Sequence, residues 1–400
     1  MKRKQIDHIP LDLLVEILIR LPAKSLIKFK TVSKIWLSII LSRVFIDSFV
    51  SISSTRSRFL VAFNNGVFAK RGEKRLFFFS SSQEGPESAN HYMTLRNLDV
   101  STLIGSCASV HGFMGCQISP RYMICNPSTR QVILLPTLPI SPERHPSPDI
   151  RGTCLGYDPV SDQFKALSLI SSRLRNHDHV EHLVLTLKGD KRKYSWRQIQ
   201  GNYYSIPPYS PVTMRVCIRG KVYYGAWTPK FGMEPVIVCF DVRSEKLTFI
   251  KAPSRDVLFW QSDSLLLEYK GKLASIVRYP FDIFDSFDLW ILEDVEKHEW
   301  SKQTCAFPLS WWDSVSSLKM SFPGTNKAGE LILAPRYLDH QVGPYYIFYY
   351  NVETNNIRRV RLQGIADDEE FRHSYGFGKT IRESHAVYIT PEHVENLRVL

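Results

Sequence analysis

The sequence predicts an α+β multidomain chain, in which a small N-terminal three-helix unit is followed by an all-β propeller of six blades. Three observations carry this expectation. Apolar residues recur at helical spacing only within about the first 45 positions. From residue 57 onward, short apolar runs alternate with Gly, Asn, Asp and Pro turns. Those runs come back with a period of 50 to 58 residues, the mark of a radial repeat.

The first helix is read over residues 9–21. Leu11, Leu14, Leu18 and Leu21 fall on one face, and Leu13 and Ile17 line an adjacent one. Pro10 suits the first turn, where its missing N–H costs nothing. Pro22 interrupts this helix and opens a second over Ala23 to Lys30, and Ser33 is the N-cap of a third whose apolar face is Ile35, Trp36, Ile39 and Ile40. About forty residues in three short helices lie at the lower limit of independent stability. The first helix is apolar over too wide an arc to satisfy itself. That surplus predicts either a separate partner or docking on the rest of the chain.

The β region repeats in two series. Gly112, Asp162, Gly220, Gly271 and Gly329 each start a turn followed by an apolar run, at spacings of 50, 58, 51 and 58. Asn126, Asp190, Asp241, Asp294 and Asn351 are each followed six residues later by Val132, Trp196, Leu247, Trp300 and Ile357. Asn or Asp opens a hairpin turn there, and the apolar residue six on packs between sheets. Trp196 and Trp300 are accordingly expected to be buried between neighbouring blades. Dividing the chain after residue 48 by roughly 55 residues per unit gives six blades of the kelch type. Seven blades or a split sandwich also fit the period. Residues 385–390 should pair with the first blade and close the ring.

Composition narrows the functional classes. With 44% hydrophobic and 22% charged residues the chain is too apolar to be disordered. No apolar stretch reaches the 18 or so residues of a membrane span, and no signal core follows the basic start, so neither secretion nor membrane insertion is expected. The seven cysteines form no Cys-x-x-Cys pair, which excludes zinc ribbons and thioredoxin sites and points to reduced thiols in the nucleus or cytoplasm. The net charge of +12 reads as diffuse: its densest clusters, Lys191–Lys193 and Arg358–Arg361, look like a hairpin turn or a strand edge, so no nucleic-acid partner is expected.

The stretch Ile9-Pro10-x-x-Leu13-Leu14-x-Glu16-Ile17-Leu18-x-Arg20-Leu21-Pro22-x-Lys24-Ser25-Leu26-x-x-Phe29-x-x-Val32-Ser33-Lys34-x-Trp36 resembles the F-box of plant proteins. It departs from that pattern only at Ile9, where Leu is usual, and at Thr31, where Cys is common. Residues 49–400 resemble the kelch-like F-box-associated domain through Ile124–Arg130, Leu155–Asp162, Ser195–Arg197, Gly220–Gly225, Phe240–Glu245 and Leu289–Leu292. The resemblance implies an F-box over residues 1–48 and a propeller over 49–400. It also implies a non-catalytic substrate-recognition subunit of a Skp–cullin–F-box ubiquitin ligase. Ile9, Pro10, Leu13, Leu14, Ile17, Leu18, Pro22, Leu26, Val32 and Trp36 would then serve the Skp-type adaptor, and through it a cullin–RING ligase. The propeller would hold an unidentified target protein. The rival class is a propeller enzyme or carbohydrate-binding protein with a central-channel site, which would need inward acids or histidines repeated from blade to blade.

Other clusters have ordinary readings beside their chemical ones. His177, His179 and His182 could hold a metal but read as a solvated hairpin loop. The acidic run 281–288 alternates with aromatics as a strand with one wet face would. The proline-rich segment 136–149 reads as a surface connector, with Ser141-Pro142 and Ser147-Pro148 open to a proline-directed kinase. Trp311-Trp312 is either a binding hot spot at a loop tip or a wedge between blades. Phosphate loops and Gly-x-Ser-x-Gly are absent, and no cofactor is expected.

Overall fold

A computed structural model describes residues 9–65, 75–83, 89–96, 108–118, 121–141, 148–174, 177–199, 208–228, 234–254, 257, 265–278, 286–308, 311, 315, 318–338, 343–375 and 385–400. Four helices lead the chain: α1 (Leu11–Ile19), α2 (Ala23–Phe29), α3 (Lys34–Leu41) and α4 (Arg43–Ser53). Each boundary has a local cause. Pro10 and Pro22 precede α1 and α2 in extended conformation, the Ser33 hydroxyl accepts the Trp36 N–H at 3.1 Å, and the Ser42 hydroxyl accepts the Phe45 N–H at 3.2 Å. The fourth helix goes beyond the three expected, and the boundary placed between residues 48 and 49 falls within it.

Six sheets follow, each one blade. Blade 1 combines Arg58–Asn64, Arg75–Ser82 and Asn90–Arg96 with His385–Thr390 from the far end of the chain. That late strand pairs antiparallel with the first, Val61 opposite Ile389, so the ring closes as expected. Blades 2 to 6 then run in chain order over residues 108–134, 148–198, 210–251, 265–306 and 320–362, except that Tyr337–Leu338 pairs with the closing strand as a fifth strand of blade 1.

The core lies between blades. Six hydrophobic clusters fill the six blade-to-blade seams, for example Leu267, Phe287, Leu333 and Tyr350 between blades 5 and 6, and Leu169, Tyr209, Tyr224 and Phe240 between blades 3 and 4. No blade covers both of its own faces, and each depends on its neighbours.

The hairpin turns use the chemistry that set the repeat. Asn126 Oδ1 accepts the N–H groups of Ser128 and Thr129, and Asp294 and Asn351 do the same for the two residues following the next. Four residues after Asn126, Asp241, Asp294 and Asn351, the chain takes positive φ at Arg130, Glu245, His298 and Asn355.

Several expectations change. Trp196 and Trp300 are half-buried, not enclosed. Each lies on its blade's outer side and donates its indole N–H to the preceding blade, to the Pro136 carbonyl at 2.8 Å and the Lys251 carbonyl at 3.0 Å. An indole N–H needs a partner, and the rim supplies a strand-end carbonyl. We expect Trp300→Phe to cost about 1 kcal/mol through the lost hydrogen bond. Trp300→Ala should cost about 2 kcal/mol, below the loss for an enclosed tryptophan. Urea midpoints of the two variants check this.

The histidine cluster is strand, not loop: His177–Leu187 pairs along its length with Gln163–Leu174. His182 is fully buried, with Nε2 against the hydroxyls of Tyr209 and Tyr224. Trp311 is the wedge of the two readings, buried and stacked on Phe307 at 4.2 Å, while Trp312 lies outside the described residues. Of the acidic run, Phe287 enters the core, and Asp288 accepts from Thr304 Oγ1 at 2.7 Å and pairs with Lys302 at 2.9 Å; residues 281–285 are outside the described set.

Candidate functional site

The ten residues expected at an adaptor surface divide by burial. Leu14, Leu18 and Leu26 lie in the core of the helical unit with Phe45 and Phe49 of α4, and Trp36 is half-buried, edge-on to Phe29 at 5.0 Å. Ile9, Pro10, Leu13, Ile17, Pro22 and Val32 face outward. Leu13 and Ile17 are 52% and 51% exposed and sit one helical turn apart, so they form a stripe on α1 that the chain itself leaves uncovered. Leu11, Ile35, Leu37, Leu41 and Val44 are also exposed, and the expected set omits them. Their signal was present in the same periodicity, since α3 carries more apolar positions than its one buried face can use.

A second feature of the helical unit had no sequence signal. Residues 391–400 leave the closing strand of blade 1 and run between the helices and the propeller. Leu397, 1% exposed, completes the helical core. Glu395 is fully buried, and its carboxylate accepts from the Tyr92 hydroxyl and from the Ala23 N–H at 3.4 Å. Burial and this carboxylate push the Tyr92 hydroxyl's pKa up. The Glu395 N–H in turn reaches the Ser53 hydroxyl at 2.8 Å.

Toward blades 2 and 3, Asn126 Nδ2 donates to the Asn396 carbonyl at 2.9 Å, and Arg398 pairs with Asp47 of α4 at 2.6 Å and with Asp162. Arg43 of α4 reaches the same Asp162 at 3.4 Å. Helices and ring are thus joined by one strap.

The strap also carries a titratable group. His393 is buried beside Arg58, and burial followed by that positive charge pulls its pKa down to about 4. An unfolded histidine titrates near 6.5. At neutral pH neither state holds the proton. As pH falls from about 6.5 towards 4 the unfolded chain gains it and the folded chain does not, so stability drops by roughly 3 kcal/mol. His393→Gln should flatten this part of a stability-against-pH curve, which denaturant titrations at pH 7 and pH 4.5 would read.

A cavity of about 1100 Å³ follows the propeller axis, lined by the innermost strands. Among the described residues it presents the carboxylates of Glu268 and Glu392 and one imidazole, His111. No cluster of three His, Cys, Asp or Glu side chains placed to hold a metal occurs among the described residues.

An exposed apolar stripe on a helical unit strapped to a closed propeller defines a two-part protein. Comparison with known families gives it a place. Residues 6–47 match the F-box domain, and residues 60–394 match the F-box associated beta propeller domain, a description that does not name kelch. The chain is 64% identical over 408 residues to the F-box protein At1g30790 of Arabidopsis thaliana, covering all of both chains. It is 35% identical to the F-box protein DOR of the same plant, over 90% of this chain and 89% of that one. The chain belongs to the F-box proteins that carry an F-box-associated propeller.

Proposed function

We propose that this protein is the substrate receptor of an Skp–cullin–F-box ubiquitin ligase, working in the nucleus or cytoplasm. The observation that carries the reading is the α1 stripe of Leu13 and Ile17, exposed within a segment that matches the F-box. Contiguous exposed apolar surface of this kind marks a site of protein interaction, and a helical adaptor face would cover it. The mechanism is positional. The helices hold the Skp-type adaptor, the propeller holds the target, and the ligase brings activated ubiquitin to the target's lysines. Proximity turns a bimolecular encounter into a nearly unimolecular one, so this chain supplies no nucleophile. Two of its described cysteines fit that role: burial pushes the Cys154 thiol up to about 12 and that of Cys217 to about 11, away from reactive thiolate.

The test is capture of a purified Skp-type adaptor by the full-length chain, followed by ubiquitination of co-captured protein in a reconstituted ligase. Adaptor binding is the expected result. A correctly folded chain that does not bind the adaptor would overturn the reading.

A further inference from the structure

The chain's path around the ring is broken in one place, blade 1. In blades 2, 4, 5 and 6 an inner strand turns into its neighbour through Gly112, Gly220, Gly271 or Gly329, each at positive φ. Blade 1 has no corresponding turn, because His385–Thr390 comes from the far end of the chain and its neighbour Arg58–Asn64 comes from α4. Two chains therefore leave the ring side by side, tied by the His393 N–H to the Arg58 carbonyl at 2.9 Å. One leads to the helices, and the other is the strap.

The strap fills the place of the missing turn. Elsewhere each glycine turn is packed by a residue from the turn of the preceding blade: Pro159 lies over Gly220, Arg219 over Gly271 and Lys270 over Gly329. At Gly112 the strap takes that position. A Cβ there would stand 2.5 Å from the Val394 carbonyl oxygen and 2.7 Å from Asn396 Cβ, so the fit leaves room for glycine alone. The strap is seated in the ring as a blade turn is. Its contacts then alternate, as those of an extended chain do. Leu397 enters the helical core, and the Glu395 N–H reaches Ser53 of α4. Asn396 faces blade 2, where Nδ2 donates to the His111 carbonyl at 2.9 Å and its N–H to the Ser128 hydroxyl at 3.3 Å. Arg398 bridges Asp162 of blade 3 and Asp47 of α4, and the Gln131 amide exchanges two hydrogen bonds with Leu400 at 2.8 and 3.1 Å.

A helical unit joined to a ring by its chain connection alone can swing about that connection. Here it is held at blades 1, 2 and 3 together, and three separated attachments leave it no free rotation. We propose that the strap is a positioning element for ubiquitin transfer, in which Asn396 and Arg398 fix the direction of the Leu13–Ile17 stripe relative to the ring. That direction decides which lysines carried by the ring, or by a protein held on it, come within reach of the ligase. In the transfer the thioester holding ubiquitin on its conjugating enzyme breaks, the lysine amine forms the isopeptide bond, and the freed thiolate takes up the proton. The rate at each lysine follows how often its amine is presented to that thioester, which is a matter of geometry. This inference rests on the receptor reading above and names the residues that orient its two halves.

The test uses the full-length chain with Asn396→Ala and Arg398→Ala together, which removes the blade-side contacts and leaves Leu397 among the helices. Arg398→Ala alone is the milder variant, and it serves if the double one does not fold. Spin labels on non-natural residues at the exposed positions Ser38 of α3 and Lys297 of blade 5 report the distance between helices and ring. Wild type should give one narrow distance distribution, and the double variant one about twice as broad or broader, as for a released hinge. Adaptor affinity should be the same in all three proteins, since neither residue lies on the stripe. In a reconstituted ligase, ubiquitin on the receptor's own propeller lysines, mapped by mass spectrometry, should sit at few sites in wild type and spread to more in the variants. Distances as narrow as wild type in every folded variant, or an unchanged lysine pattern beside broadened distances, would overturn the proposal. The distances need no adaptor, so the two readings fail separately: a wild-type chain that binds no adaptor sinks the receptor reading, whereas adaptor binding with unbroadened distances sinks this inference alone.

Discussion

Replacing Leu13 and Ile17 together by Asp should reduce binding of a Skp-type adaptor by at least a hundredfold, with the chain still folded. Both side chains are about half exposed, so the substitution removes little from the free protein. The loss falls on the complex. Covering a Leu or Ile is worth roughly 1.5–3 kcal/mol, and two unpaired carboxylates would have to be desolvated in its place. Since half of each side chain is already covered, that gain comes to about 1.5–3 kcal/mol for the two together, and the carboxylate desolvation carries the loss past the roughly 2.7 kcal/mol of a hundredfold change. Leu18→Ala is the informative contrast. Leu18 is 1% exposed in the helical core, and its truncation should cost about 2–5 kcal/mol of stability. Binding by surface plasmon resonance and circular dichroism on the same samples separate the two effects. Undiminished adaptor binding by the double Asp variant would show that the stripe serves something else.

The architecture was largely legible because its signals are local and repeated. Asx turns recur in blades 2 to 6 and X–Gly turns in blades 2, 4, 5 and 6, and each sets a hairpin through hydrogen bonds within a few residues, so spacing alone predicts blades and closure. Pro22 and Ser33 mark helix boundaries for the same reason. The division of the F-box positions into inward and outward ones was not legible, because an apolar residue reads alike in both. It took Phe45 and Phe49 of α4 to show that Leu14, Leu18 and Leu26 are already satisfied.

Trp196 and Trp300 were placed in the right blades but too deep, since periodicity fixes the seam a residue faces and not its distance from the rim. The channel cations were hidden by the sum. A net charge of +12 spread over the sequence looked diffuse, yet six of the cations between 215 and 336 line the axial cavity. The strap left no trace, because its contacts with the helices and with blades 2 and 3 join residues more than 230 positions apart.

That strap makes the second large effect. Leu397→Asp should uncouple the helical unit from the propeller and destabilise it by several kcal/mol. The side chain is 1% exposed among Leu14, Leu18, Phe45 and Phe49, so the variant loses the transfer of a Leu and places a carboxylate where nothing is set to solvate it. The neighbouring Glu395, itself fully buried, adds repulsion. The propeller keeps its six seams and its closing strand, so it should unfold near its original temperature while the helices melt earlier. Calorimetry should show two transitions in the variant. The same geometry bears on where the chain can be cut. A fragment beginning at residue 49 splits α4 and bares Leu397, whereas one beginning at residue 57 removes the whole helix but leaves the same apolar residue on the ring. Pairing that second cut with Leu397→Ser should yield a more soluble propeller than either change alone. A single unshifted transition in Leu397→Asp would show that the helices stand without the strap.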